Sequence, residues 1–197
     1  MGTTVAELRV RLAAMGYWSG APSDRIGPLL QQAVYALQKA QELTIDGVVG
    51  PEVRGALNES SAIVPVLQQP DHVEIDLTRQ LIIFVAGGSP FLVFNTSTGT
   101  NERYQHPTQG LQLADTPTGT FLVDWQVDGV SDGDLGPLYR PKFFHPDGIA
   151  VHGYADVPPV PASHGCARVS VAAMDLIWQL DLMPIGSVVH VVGAPPI

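Results

Sequence analysis

The chain has 197 residues, a formal net charge of −9, a sequence pI near 4.9, and 45% hydrophobic against 15% charged residues. That length holds one large domain or two small ones, and the composition belongs to a core-forming chain, which excludes disorder outside ends and loops. The acidic balance argues against nucleic acid as a partner, because phosphate contacts demand clustered Lys and Arg. A single cysteine excludes an intrachain disulfide framework.

In the first sixty residues Val5, Leu8, Leu12 and Met15 recur at helical spacing before Gly16, which predicts a short amphipathic helix. Leu30, Ala33, Val34, Leu37 and Ala40 predict a second, and Pro51 opens a third that runs through Leu57. Asp24-Arg25-Ile26-Gly27-Pro28 and Asp46-Gly47-Val48-Val49-Gly50-Pro51 are turn sequences ahead of the second and third helices, an internal echo within one three-helix bundle. Tyr17 and Trp18 are candidates for sugar or peptide contact, with core packing as the alternative. Ser60 to Pro70, with Pro65 and Gln68-Gln69-Pro70, reads as a linker.

Beyond it the period changes from 3.6 to 2. Val73, Ile75 and Leu77 alternate with polar residues, and Leu81 to Val85, Phe91 to Phe94, Phe121 to Val127 and Val188 to Val192 are predicted strands. Between Val169 and Leu182 the apolar spacing predicts a helix with Ser170 as its N-cap. The polar stretch Asn101 to Asp115 is expected to form a rim or lid. Tyr104 and His106 within it are read first as solvated loop residues and second as groove lining. No uninterrupted apolar run approaches the ~20 residues of a membrane span. Met1-Gly2-Thr3-Thr4 lacks the charged and apolar regions of a signal peptide.

The one cysteine sits in Ser163-His164-Gly165-Cys166, downstream of His152-Gly153. Cysteine attacks as the thiolate, so a catalytic cysteine needs a nearby imidazole, and a cation such as Arg168 depresses its pKa further. Gly165 and Ser163 make the preceding backbone turn-prone, and such a turn aims N–H groups at a developing oxyanion. The competing reading of a lone Cys is a small buried hydrophobe.

Val151-His152-Gly153 followed by Ser163-His164-Gly165-Cys166-Ala167-Arg168-Val169 resembles the signature of the L,D-transpeptidase (YkuD-type) catalytic domain. Thr96-Ser97-Thr98-Gly99 and Thr116-Pro117-Thr118-Gly119-Thr120-Phe121 look like further pieces of it. Leu12 through Gly16-Tyr17-Trp18-Ser19-Gly20, Ala33-Val34-Tyr35-Ala36-Leu37-Gln38 and Asp46 to Pro51 resemble, more loosely, a three-helix peptidoglycan-binding domain. The fold class expected is therefore multidomain: a small all-α bundle over 1–62, a linker over 63–70, and over 71–197 a mainly β, β-sandwich-like catalytic domain with one or two helices.

The resemblance implies Cys166 as nucleophile and His152 as base, oriented through the carbonyl of Gly153, with Asp156 left as a loop residue. His164, Gly165 and Cys166 would supply oxyanion N–H groups, and Ser163, Arg168, Tyr154 and Tyr139 are assigned to substrate contact. Tyr139, Phe143, Phe144 and His145 are read as a further wall of the groove. Only ten residues separate His152 from Ser163, a shorter connection than many relatives have, stiffened by Pro158, Pro159 and Pro161. Peptidoglycan is the implied partner, tetrapeptide stems the donors and a 3→3 cross-link the product. Acylation by carbapenems is expected and no cofactor or metal is called for. Location outside the cytoplasm, in the cell wall or periplasm, is also implied and calls for a signal segment not contained in this sequence; nothing in the sequence reports the oligomeric state. Water as acceptor would make the protein an L,D-carboxypeptidase. Two rivals are a zinc peptidase using His145, His152, His164, His190 and Cys166, and an inactive wall-binding protein held by residues 3–60. Deletion of that first part is expected to spare thiol reactivity.

Overall fold

The computed structural model describes residues 4–59 and 62–196. Three helices come first: α1 (Val5–Ala14), α2 (Pro28–Ala40) and α3 (Pro51–Glu59). Thr4 caps α1 with a reciprocal box, its hydroxyl accepting from Glu7 N while the Glu7 carboxylate takes the Thr4 N–H at 2.8 Å. Pro28 opens α2 where its missing N–H costs nothing.

The strands are β1 (His72–Asp76), β2 (Leu81–Ala86), β3 (Ser89–Asn95), β4 (Arg103–His106), β5 (Gly110–Leu113), β6 (Gly119–Leu122), β7 (Trp125–Gln126), β8 (Val130–Gly133), β9 (Gly136–His145), β10 (Ile149–Tyr154), β11 (Ala167–Ser170) and β12 (Val188–Val192), with α4 (Val171–Gln179) before the last. One sheet runs β3-β2-β1-β12-β6, a second runs β11-β10-β9-β7 with β8 on β9, and β4-β5 forms a separate hairpin. Between the sheets lies one core, holding Ile75, Ile82, Phe84 and Val189 from the first sheet and Val151, Ala167 and Val169 from the second. α4, capped by Ser170 as expected, packs on β9, β10 and β11 and adds Ala173, Met174 and Ile177 to that core. Among the described residues no helix is long and apolar enough to cross a membrane.

The predicted strand Phe121 to Val127 is broken in two. Val123 N donates to Ser187 O in the first sheet's neighbourhood (2.9 Å), whereas Asp124 N donates to Phe143 O of β9 (3.1 Å), so the chain changes sheets between them. The stretch Asn101 to Asp115, expected as a rim or lid, is built as the β4-β5 hairpin.

The unbroken apolar run of β2 has a structural cause. Side chains alternate faces along a strand, so Ile82 and Phe84 enter the core between the sheets while Leu81, Ile83 and Val85 point the other way. There they join Val93 of β3 and Leu8, Leu12, Leu30, Val34 and Leu37 of the helices in a second core. Tyr17 belongs to it, fully buried and bridged to Val93, and Trp18 stands edge-on to Phe94 at 5.9 Å. Neither is a free aromatic for sugar contact; core packing is their role.

Residues 63–70 are docked as well. Ile63 is buried in the second core, and Val66 N and Leu67 N donate to the buried carboxylate of Glu74 at 3.0 and 2.9 Å. Deleting the helices would bare Leu81, Ile83, Val85 and Val93. At about 1.5–3 kcal/mol per buried side chain, the loss is comparable to the whole net stability of a typical domain, about 5–15 kcal/mol. The expectation that the first part can be removed with thiol reactivity intact is therefore revised: its helices cover the outer face of the sheet.

Candidate functional site

β10 and β11 run parallel, pairing Val151 with Ala167 and His152 with Arg168. Val151 and Ala167 face the core, so His152 and Arg168 face the opposite side, and Cys166, one residue before β11, opens onto it too. There a cleft of about 710 Å³ is lined by His152, Tyr154, Ser163, His164, Gly165, Cys166 and Arg168 together with Tyr104, Asp115 and Gly148. Seven of the nine residues assigned from sequence thus share one cavity; Gly153 and Tyr139 do not line it.

Gly153 acts from behind. Its carbonyl accepts from His152 Nδ1 at 3.0 Å, and since a carbonyl only accepts, that nitrogen carries the proton and Nε2 keeps its lone pair. Burial pushes the His152 pKa down to about 4, with the Gly153 bond opposing and Arg168 assisting, so the imidazole is a neutral base near pH 7. Tyr139 lies opposite Gly153 across β9 and β10, and its hydroxyl donates to Asp175 Oδ1 of α4 at 2.8 Å. A Cβ on Gly153 would stand 2.7 Å from the Tyr139 ring and 3.2 Å from Val171 Cα, so only glycine admits this packing. The assignment of Tyr139 to substrate contact is corrected by this register, which puts the ring behind the base.

The Cys166 thiol is half-buried, with Gly148 O at 3.9 Å. Burial raises its pKa more than the Ala150 N–H and Arg168 lower it. The cleft accordingly holds a neutral thiol and a neutral imidazole.

The turn carrying Cys166 is braced on every side. Ser163 Oγ accepts from Gly165 N at 3.1 Å and donates to Cys166 O at 2.5 Å, and the residue is 2% exposed, so it shapes the turn and its hydroxyl is not offered to substrate. The Gly165 N–H is spent on that bond, so the set of oxyanion donors expected from sequence is reduced to those of His164 and Cys166. Gly165 has φ +145°, and a Cβ there would meet Asp115 O at 2.8 Å. Thr116 Oγ1 donates to Gly165 O (2.6 Å) and accepts from Gly99 N (2.9 Å), a bracing role that its sequence motif did not specify.

Arg168 stacks its guanidinium 4.1 Å over the Tyr154 ring and donates from Nη1 to Ala162 O at 2.8 Å. The β4-β5 hairpin supplies the facing wall: Tyr104 packs on the His164 ring with centroids 4.4 Å apart, and His106, 7% exposed, accepts the N–H groups of Thr108 and Gln109. Their reading as solvated loop residues is corrected, since both line the cleft. Among the described residues no group of three or more His, Cys, Asp or Glu is arranged to hold a metal ion. His190, one of the ligands considered for zinc, lies on β12 against His72, Thr120 and Gln69. A second groove, about 540 Å³, lies on the helices between Val5, Leu8, Ile26, Pro28, Gln31, Val34 and Arg54.

Two family descriptions match the chain: a peptidoglycan binding domain over residues 1–57 and the L,D-transpeptidase catalytic domain over residues 70–191. Among solved structures, an L,D-transpeptidase from Xylanimonas cellulosilytica is 40% identical, with a TM-score of 0.90 over 97% of this chain and 95% of that one. One from Stackebrandtia nassauensis shares the fold at 19% identity and a TM-score of 0.54 over 96% of this chain and 90% of that one. Comparison with curated proteins gives no match.

Proposed function

The chain belongs to the L,D-transpeptidase family, and we propose that it performs acyl transfer on peptidoglycan stem peptides through a thioester on Cys166. His152 Nε2 takes the thiol proton as sulfur attacks the donor carbonyl, the developing oxyanion meets the His164 and Cys166 N–H groups, and the collapsing intermediate expels the leaving amine with the proton from His152. An acceptor amine then attacks the thioester and returns the thiol. The donor is a tetrapeptide stem cleaved after its third residue, with terminal D-alanine as the leaving amine. The product is a 3–3 cross-link, and Arg168 and Tyr154 meet the stem. The groove on the helices is the proposed seat for the wall polymer, and the place of work is outside the cytoplasm. The observation that carries this reading is the neutral His152, its Nδ1 fixed by Gly153 and its other nitrogen free to act as base in the cleft that holds the thiol.

The test is intact-protein mass spectrometry after incubation with a carbapenem. A single adduct on the wild type that vanishes in Cys166→Ala, with the variant still folded by circular dichroism, is expected. A folded wild type without adduct, or a Cys166→Ala protein that still cross-links stems, would remove the thioester. Chromatography of the muropeptide products separates cross-linked dimers from the trimmed monomers that water as acceptor would release.

A further inference from the structure

α2 carries two polar side chains seven residues apart, two helical turns along one face, that enter the catalytic domain. Gln32 Nε2 donates to Val157 O at 2.9 Å, and its Oε1 accepts from Asn95 Nδ2 at 2.6 Å. Lys39, 3% exposed, donates from Nζ to Gln80 O at 3.0 Å, to Thr96 O at 3.2 Å and to Asn95 Oδ1. Neither side chain lines the cleft.

What they hold is the strip that begins at the end of β3. Ahead of the nucleophile turn, Thr98 O accepts from Ser163 N (3.0 Å) and Thr100 N donates to Ser163 O (3.1 Å). Behind it, Ser97 exchanges backbone bonds with Arg168 at 3.0 and 3.2 Å, and Thr96 Oγ1 donates to Arg168 O at 2.7 Å. His164, Gly165 and Cys166 are therefore slung between two anchor points on one short strip, and Lys39 grips the start of that strip at the Asn95 side chain and the Thr96 carbonyl. Val157, held by Gln32, sits in the connection between His152 and Ser163.

We infer that Lys39 and Gln32 are positioning residues for acyl transfer: through strip 95–100 and Val157 the helical module sets the Cys166 turn against the base, in addition to any wall binding on its grooved side. The inference rests on Cys166 as the nucleophile. Misplacing reacting groups by about 1 Å costs up to about 100-fold in rate, so a joint that fixes this turn is read out in kinetics as well as in stability.

The experiment follows carbapenem acylation of the full chain for wild type, Lys39→Met and Gln32→Ala. The rate constant comes from single-exponential kinetics and the final acylated fraction from mass spectrometry. Expected is a fall in rate constant of about tenfold for Lys39→Met and about threefold for Gln32→Ala, each with a wild-type final fraction in the folded protein and unchanged pelleting with purified sacculi. A purely structural contribution lowers the folded fraction and leaves the rate constant of the survivors at the wild-type value, and that result overturns the inference. Gln32→Ala removes an amide rather than a buried cation, so it keeps the question answerable if Lys39→Met does not fold. A wild type that alkylates at Cys166 but takes no carbapenem overturns the acyl-transfer reading and the inference with it. Wild-type acylation with unchanged variant rates overturns the positioning role alone.

Discussion

Two buried basic groups differ in what surrounds them. Lys39, at the joint between helices and sheet, has oxygens of Gln80, Asn95 and Thr96 around its Nζ. His152, in the cleft, has one nitrogen tied to Gly153 O and the other left for chemistry. Burial pushes both toward the neutral form, Lys39 to about 7 and His152 to about 4. A lowered pKa by itself thus does not separate a fastening from a base. Whether the hydrogen-bonding capacity is already spent does, and on that criterion Lys39 is placed to fasten and His152 to react.

The largest expected effect bears on the reactive half of that contrast. His152→Ala should slow Cys166 acylation by about 10²–10⁴-fold, the usual span for a general base, measured on the folded fraction because loss of the buried, hydrogen-bonded ring also lowers the melting temperature. In the wild type the acylation rate should be flat from about pH 5 to 8 and fall as pH drops through about 4, where His152 takes a proton and ceases to be a base. Because burial holds the thiol pKa above its ordinary value, alkylation by iodoacetamide should keep rising past pH 9. A plateau of alkylation near pH 6–7 would reveal a thiolate–imidazolium pair and break the contrast.

A smaller effect is expected at Gly165, whose backbone and neighbourhood both exclude a side chain, with φ +145° and Asp115 O in the way. Gly165→Ala should reduce the acylation rate constant by about 10- to 100-fold by displacing the turn. The pH at which the rate falls should stay that of His152. A rate within twofold of wild type would show that the turn tolerates displacement and that its bracing by Ser163 and Thr116 is incidental to catalysis.

That Cys166, His152 and the small residues between them share a cleft was legible because they lie close in sequence: two short motifs, on and beside the adjacent strands β10 and β11, carry them. The helices α1 to α3 were legible from period and punctuation. Tyr139 was misplaced because nearness in sequence stood in for register, and the β9–β10 pairing puts it opposite Gly153. The β4-β5 hairpin escaped notice because Leu111 and Leu113 are exposed and its inward residues meet a cleft, so no core-facing alternation announces it. The run Leu81 to Val85 did hold the news that both faces of β2 are covered, but not by what. Gln32 and Lys39 look like solvent-facing positions on an amphipathic helix, and the partial burial of the one and full burial of the other depend on a docking that no local pattern encodes.

The smallest effect tests the fastening half of the contrast. Below pH 7 Lys39 is an ammonium in both the folded and the unfolded chain, and the folded state bears the cost of burying it. Between about 7 and the ordinary 10.5 the folded chain has shed the proton while the unfolded chain keeps it, so raising the pH favours the folded state. Lys39→Met lacks that dependence, and every other titrating group is common to the two proteins. Urea midpoints at pH 6, 8 and 9.5 should show the wild type gaining about 1–3 kcal/mol on the variant over that range. A gap that stays constant with pH would mean that the three oxygens keep Lys39 charged. The joint would then be a buried cation beside a neutral active site, and burial would tune charge only where hydrogen-bonding capacity is left unspent.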